Sequence, residues 1–500
     1  MRIRTILAAA ALLAAGALLG WLAASGRLIT DVHAQDKAPA DKTPHKFERA
    51  FPTTETAQRV HEEEDYERAV QAYQFFYPTM SLEGIFQGMR DVGVEDNKGA
   101  IIFACGPKHV LFTANSDTPY MVVTINLKES GPMVIEMPAG SYAGFANDHN
   151  FRWITDIGIP DPDAGKDGKH LILPPDYKGK TPDGYHTSRS NTNFVLFAAR
   201  SIPSGNDVKG ALEALRKVKV YPLAQSANPP ALTFVDKTDE EVDLSPLRWE
   251  DNFQYWEKLH KILQEETVIE EFRPMYGLLI SLGIEKGKKF APDGRMKAIL
   301  ARAAKAGRDR MLVSAYASSR PDRIVWKDRK WEWAALVYDN GDFELPTGID
   351  LQARDRWFGQ AIGASQKMFA REPGAGSLYW LGARDKDGAY LDGAKTYKLT
   401  VPQPVPQKLF WSVTVYDPGT RSMIQTDQGK AALRSMVELK DVAKTGSTDL
   451  YFGPKAPAGK EGQWIKTNPD QGWFVYFRLF GPEGPAFDGR WKPDDFEEVK

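Results

Sequence analysis

Two blocks of short, β-rich runs flank one block of helical periodicity, and that order constrains the fold more than any other feature of the chain. The first block, after about residue 100, holds IIFACG, HVLFT, MVVTINL, PMVIEMP and FVLFAAR. The second, beyond Gly374, holds SLYWLGA, TYKLTV, LFWSVTVYD, DLYFG and GWFVYFRLF. Short apolar runs cut by Gly, Pro, Asn and Asp predict a β-sandwich rather than βαβ units. Between the blocks, helical spacing covers Asn252 to Leu282, Gly294 to Ser318 and Leu351 to Arg371. In the first of these, Phe253, Trp256, Leu259, His260 and Leu263 share one face. An amphipathic helix also precedes the first β-block, with Tyr66, Ala69, Val70, Tyr73, Phe76 and Tyr77 at spacings of three and four and acids at its start. Pro78 is expected to end it. The stretch from Ile159 to Asn193 reads as long loops. The expected class is therefore mainly β with a helical region, an α+β multidomain chain. Its parts are a helical segment over 56–95, a β-sandwich over 96–244, a helical domain over 245–372 and a second β-domain over 373–500.

The N-terminus points to export. Arg2 and Arg4 precede an apolar run from Thr5 to Ala24, and Val32-His33-Ala34 resembles a small-residue cleavage site. Residues 1–34 thus read as a signal peptide, with an uncleaved membrane anchor as the alternative because the run is just long enough to span a bilayer. The segment over 35–55 reads as a disordered linker. The expected location is the periplasm or the medium, with contact to a membrane only through that first segment. Lys plus Arg (64) nearly balances Asp plus Glu (66), so the basic footprint of a nucleic-acid binder is missing. Cys105 is the single cysteine. It cannot form an internal disulfide and reads as a small buried hydrophobe on a strand.

Standard catalytic motifs do not survive inspection. GKT at Gly179 to Thr181 has Pro174 where a phosphate loop needs glycine, HEEED at His61 to Asp65 lacks the second zinc histidine, and no G-x-S-x-G occurs. DPDAGKDG, Asp161 to Gly168, misplaces its glycine for a calcium loop. DKDGAYLDG, Asp385 to Gly393, falls where a hairpin turn is expected. No metal site or cofactor is assigned. No histidine follows His260, so a histidine-based site must draw on the earlier part of the chain. His149, in NDHNFRW with Arg152 close behind, is the best placed, since neighbouring amides and carboxylates can fix its tautomer. In TANSDTPY, Thr113 to Tyr120, a continuing strand would place Asn115 and Asp117 on one face, where they could orient a substrate hydroxyl and accept its proton. An Asx-turn explains the same residue types. In the second β-block, FWSVTVYD puts Tyr416 on the face opposite Trp411. Arg478, inside FVYFRLF, needs a carboxylate partner if buried, with Asp417 or Asp449 expected to provide it.

Several blocks together resemble a bacterial family that pairs domain of unknown function 1254 (N-terminal) with domain of unknown function 1214 (C-terminal). They are AYQFFYP at Ala72, TANSDTPY followed by GPMVIEMP, FWSVTVYD, STDLYFGPKAPAG and GWFVYFRLFGP closing on DGRWK. The family usually shows Leu where Pro119 stands. The resemblance implies an immunoglobulin-like β-sandwich, a central helical domain and a C-terminal jelly-roll-like β-domain. It carries over no established catalytic residue. Two functions stay open at this point. One is an exported hydrolase-type enzyme with Asp117 as base, His149 as the alternative base, and Asn115, Tyr120, Arg152, Tyr416 and Arg478 holding substrate. The other is a non-catalytic binder of a small-molecule or envelope-derived ligand. The sequence leaves the oligomeric state open. Convergence of Asn115, Asp117, Tyr120 and His149 on one concavity discriminates between the two functions.

Overall fold

Helix α1 (Thr54–Asp91) continues through Pro78, against the expectation that the proline would stop it. An interior proline costs about 3 kcal/mol, but Tyr73, Phe76, Tyr77, Met80, Leu82 and Phe86 on either side are all buried. Each such burial is worth roughly 1.5–3 kcal/mol, so tertiary packing outweighs the local penalty. The computed structural model describes residues 44–159, 162–336, 343–361, 363–374, 376–442 and 444–499. The signal segment over 1–34 lies outside them. The chain divides into two compact units, Met1–His61 and Glu62–Lys500. In the first, Phe47–Glu48 pairs antiparallel with Phe51–Pro52, so the described part of the expected linker carries backbone pairing. All that follows concerns the second unit.

The first β-region begins with β1 (Gly99–Phe103), β2 (Tyr120–Asn126), β3 (Met133–Met137), β4 (Tyr142–Asp148) and β5 (Trp153–Gly158). It continues with β6 (Gly168–Leu173), β7 (His186–Arg189), β8 (Phe194–Ser201), helix α2 (Val208–Leu215), β9 (Lys219–Pro222) and β10 (Thr233–Asp236). One sheet has six strands in the order β10-β1-β2-β8-β4-β5, and a second has four in the order β7-β6-β3-β9. Strands β6 and β7 correct the loop reading of 159–193. Only the short run Leu171 to Leu173 carries an apolar signal there, and its pairing is non-local: antiparallel to β3 and parallel to β7.

The period of two sorts the six-stranded sheet's side chains to two cores. Ala100, Ile102, Met121, Val123 and Phe197 pack with Met133, Ile135 and Ile172 of the four-stranded sheet. Ile101, Phe103, Val122 and Leu196 point the other way, into a larger core shared with α1, the helical region and the second β-region.

Helices α3 (Gln254–Glu265), α4 (Arg273–Ser281), α5 (Gly294–Tyr316), α6 (Leu351–Phe358) and the short α7 (Gln366–Phe369) occupy the expected helical region. The short strand β11 (Glu332–Trp333) falls between α5 and α6. The second β-region then adds β12 (Ser377–Gly382), β13 (Tyr397–Gln403), β14 (Gln407–Tyr416), β15 (Ala432–Arg434) and β16 (Gly446–Gly453). It closes with β17 (Trp464–Lys466), β18 (Phe474–Pro482) and β19 (Glu497–Glu498). A five-stranded sheet runs β11-β12-β18-β14-β15 and a four-stranded sheet β17-β16-β13-β19. Strand β18 is buried along its whole length. The architecture is thus mixed α+β with two β-regions around a helical one.

Candidate functional site

The six-stranded sheet turns Tyr120, Val122, Ala143, Phe145, Ala198 and Arg200 toward the second β-region, where they floor a cavity of about 90 Å³. Period two makes this set, because each residue sits on the face opposite the sandwich core. The facing wall comes from Tyr379 on β12 and from Tyr476 and Arg478 on β18, with Ile85 of α1 and Trp357 of α6 closing the sides. Asn115 reaches the cavity from the loop before β2. A second cavity of about 140 Å³ shares Ala143, Phe145, Arg200 and Met368 with the first.

The loop Thr113 to Pro119 answers one sequence question directly. It is not a strand, since β2 starts at Tyr120. Asn115 Oδ1 accepts the Asp117 N–H at 3.0 Å, which is an Asx-turn. Asn115 Nδ2 donates to Tyr120 Oη at 2.8 Å, and the Asn115 N–H does so at 3.2 Å. The rest of the loop is fixed from the second β-region. Tyr416 Oη donates to the Ala114 carbonyl at 2.7 Å, Arg478 Nη2 to the Thr113 carbonyl at 3.0 Å, and Arg434 Nη1 to the Ser116 carbonyl at 2.5 Å. Thr113 has φ 40, a left-handed conformation that costs a non-glycine residue about 1–3 kcal/mol. Its N–H is spent on the Arg421 carbonyl at 2.6 Å, so both of its backbone polar groups hold it in place.

Asp117 lies beside the cavity, not in its wall. Its Oδ2 accepts from Ser412 Oγ at 2.9 Å, while Oδ1 is buried without a partner. Burial pushes its carboxyl above the usual aspartate range, and Arg478, Arg434, the Ser412 hydroxyl and Arg200 offset only part of that. Asp117 is therefore the acidic neighbour of Arg478. The expected partners are engaged elsewhere: Asp417 Oδ1 accepts the Gly419 N–H, and Asp449 Oδ1 the Thr400 hydroxyl. Three tyrosine rings, Tyr379, Tyr416 and Tyr476, stand 5.1 to 5.4 Å from the Arg478 guanidinium. Burial raises the Tyr120 hydroxyl to about 12 despite Arg200 and Arg478 nearby, so it stays a proton donor at neutral pH.

Of the candidates from sequence, Asn115, Tyr120 and Arg478 line the cavity. Asp117 and Tyr416 stand behind it, bonded to its framework. His149 and Arg152 are elsewhere. His149 Nδ1 is 2.7 Å from Glu266 Oε1, and its ring packs against Phe86 and Phe194. Arg152 pairs with Glu344 at 2.6 Å. The reason is local: NDHN runs from the end of β4 into a turn, where Asp148 Oδ1 accepts the N–H groups of Asn150 and Arg152, and this turns the segment toward Glu266. Sequence reasoning missed Arg200 and Tyr379. Alternation in FVLFAAR carried a signal for Arg200, which shares a face with Leu196 and Ala198 rather than with the outward polar positions.

The lesser motifs behave as turns. Asp163 Oδ2 accepts from the Gly158 N–H at 2.9 Å and His170 Nε2 lies 2.8 Å away. Asp385 Oδ1 caps the N–H groups of Asp387 and Ala389. No cluster of three or more His, Cys, Asp or Glu among the described residues is arranged to hold a metal ion. Cys105 follows β1 rather than lying on it, and burial pushes its thiol up, away from reactivity.

The family model "Protein of unknown function (DUF1254)" matches residues 105–222, and "Protein of unknown function (DUF1214)" matches 376–484. The chain carries both domains, in that order. The cavity is built where they meet: Asn115, Tyr120 and Arg200 come from DUF1254, and Tyr379, Tyr476 and Arg478 from DUF1214. Among solved structures, the VPA0106 protein from Vibrio parahaemolyticus is similar at TM-score 0.56 and 14% identity, over 87% of this chain and 100% of that one. That likeness shows the fold alone. A putative uncharacterized protein from Burkholderia cenocepacia aligns over 89% of this chain and 96% of its own, at 11% identity and TM-score 0.39. No curated protein matches.

Proposed function

We propose that the protein binds a small ligand in the cavity between its DUF1254 and DUF1214 domains, without turning it over. The observation that carries this reading is the makeup of the wall. It is largely apolar, with Arg200, Arg478 and three tyrosines as the titratable groups among its described residues. A concave apolar site with a few convergent polar groups is the usual form of a ligand pocket. The hydrolase reading asks for a base that touches substrate. Asp117 is held by Ser412 outside the wall, and His149 belongs to the Glu266 turn, so the geometry favours binding.

Two further parts of the reading rest on sequence. The charged, then apolar, N-terminus supports an exported protein, periplasmic or secreted. No helix among the described residues is long and apolar enough to cross a membrane. The family resemblance supports reading the first pair of sheets as an immunoglobulin-like sandwich and the second as jelly-roll-like.

The test is a panel of ester, lactone and glycoside compounds together with their alcohol and acid products, offered to the purified mature chain. Saturable calorimetric binding without product formation supports the proposal. An Ala198→Leu variant, which fills the floor, should abolish that binding while still folding. Turnover of any panel member by the wild type, lost in Asp117→Asn, would establish the hydrolase instead.

A further inference from the structure

The cavity holds more positive charge than the protein neutralises. Arg478 is 2% exposed and spends one nitrogen, Nη2, on the Thr113 carbonyl, while its Nε and Nη1 are buried without a hydrogen-bond partner. Leaving buried donors of a charged group unmatched is costly, so this guanidinium is built to meet an acceptor. Arg200 enters the same cavity from the opposite sheet, and its guanidinium forms no hydrogen bond or ion pair among the described residues. It stands cross-strand from Tyr120. The Tyr120 oxygen already accepts from Asn115 twice, which leaves its own proton free to donate. Nearby, Arg434 is matched by Glu438 at 2.6 Å. Asp117 therefore remains as the single acid facing two unmatched guanidinium groups.

We infer that the cavity takes a compact monoanion with an apolar body, a carboxylate in its simplest form, with Arg200, Arg478 and the Tyr120 hydroxyl on its charged end. This rests on the binding reading above and names the ligand class. With the Asp117 carboxylate ionised, one negative charge balances the two guanidinium groups and a phosphate dianion overshoots. Planar guanidinium forks suit a carboxylate's two oxygens. Most of the remaining wall, with Ile85, Leu111, Val122, Leu196 and Trp357, is apolar and suits hydrocarbon better than a polyol. A volume of about 90 Å³ admits only a short chain or a single ring. The adjoining cavity of about 140 Å³, which shares Arg200 at the junction, has room for a longer tail.

The experiment titrates the mature chain calorimetrically with hexanoate and benzoate, and in parallel with hexanol, benzyl alcohol and hexylamine. Carboxylates should bind at least tenfold more tightly than the matched alcohols, and the amine should not bind. Arg200→Gln should weaken the carboxylates tenfold or more, leave alcohol affinity unchanged and melt with the wild type, because Arg200 is only half-buried. Arg478→Gln should do the same to binding, with its melting temperature measured alongside. Alcohols binding as well as carboxylates would overturn the anion inference and leave the binding reading standing. Carboxylate affinity indifferent to Arg200→Gln would place the ligand elsewhere and also overturn it. No saturable binding by any probe would remove the binding reading itself.

Discussion

Glu250 and Arg421 anchor the floor of the candidate site to the core, and breaking that pair makes a strong test of the structure. Arg421 Nη2 donates to Glu250 Oε1 at 2.6 Å, and both side chains are under one-tenth exposed. Tyr77 Oη also donates to Glu250 Oε1, at 2.8 Å, and the Phe112 ring lies 3.8 Å from the guanidinium. The Arg421 carbonyl in turn holds the Thr113 N–H. Glu250→Leu removes one partner and leaves a buried cation, at a cost of about 3–5 kcal/mol. At roughly 2.1 cal/mol/K per residue, unfolding the Glu62–Lys500 unit carries an entropy of roughly 0.9 kcal/mol/K. The variant should therefore melt about 3–6 °C below the wild type in differential scanning calorimetry. The double variant Glu250→Leu/Arg421→Met exchanges the whole pair for apolar groups and should recover most of the loss, since such replacements are often near neutral. A single variant within about 1 °C of wild type would refute the buried-cation argument. So would a double variant as unstable as the single.

Other perturbations probe the carboxyls whose ionisation the fold opposes. Asp117 sits above its usual range mainly through burial, so its stabilising contribution is full at low pH and fades as pH rises through the raised folded value. Relative to Asp117→Asn, the wild type should thus lose stability from the ordinary aspartate range upward; parallel melting curves for the two across pH 4 to 7 would contradict this. Asp355 is pushed up to about 7 by burial, with Arg354 and Gln74 offsetting part of the effect. The wild type should then fall against Asp355→Asn from the ordinary aspartate range up to about 7 and run level above it, in a thermal-shift series from pH 4 to 9. Ser412→Ala removes the one hydroxyl bonded to Asp117 and leaves its buried Oδ2 unmatched, which should cost about 1–3 kcal/mol, read by urea unfolding. Expressed in a Gram-negative host, the chain should be recovered from the periplasm, shortened to near Gln35; full-length cytosolic protein would show the N-terminal reading to be mistaken.

Strand periodicity made much of this molecule legible. It put Tyr416 on the face opposite Trp411, and that face carries Arg478 into the cavity wall with Tyr416 behind it. What stayed hidden depended on partners far away in sequence. Whether a helix survives Pro78 is decided by what packs on Tyr73 and Tyr77, including Glu250 and Tyr255. Strand β6 carries too short an apolar run to signal itself before β3 and β7 pair with it. Arg200 stayed hidden because its neighbour in the cavity, Tyr379, enters 179 residues later (379 − 200) in the chain.

The choice between a turn and a site for TANSDTPY proves to be a false one. The Asx-turn at Asn115 and Asp117 bends the chain, and the same bend presents Asn115 and Tyr120 to the cavity. Its backbone carbonyls at Thr113, Ala114 and Ser116 are each taken by a side chain of the second β-region. Those three bonds use up donors on Arg478, Tyr416 and Arg434. Arg478 alone keeps unspent donors that are buried. The loop thus sets how much of the arginine's hydrogen-bonding capacity remains for a ligand. A substitution that loosened the turn, such as Asn115→Ala, should free Tyr120 from two bonds and let Arg478 shift, weakening an anionic ligand even though position 115 carries no charge.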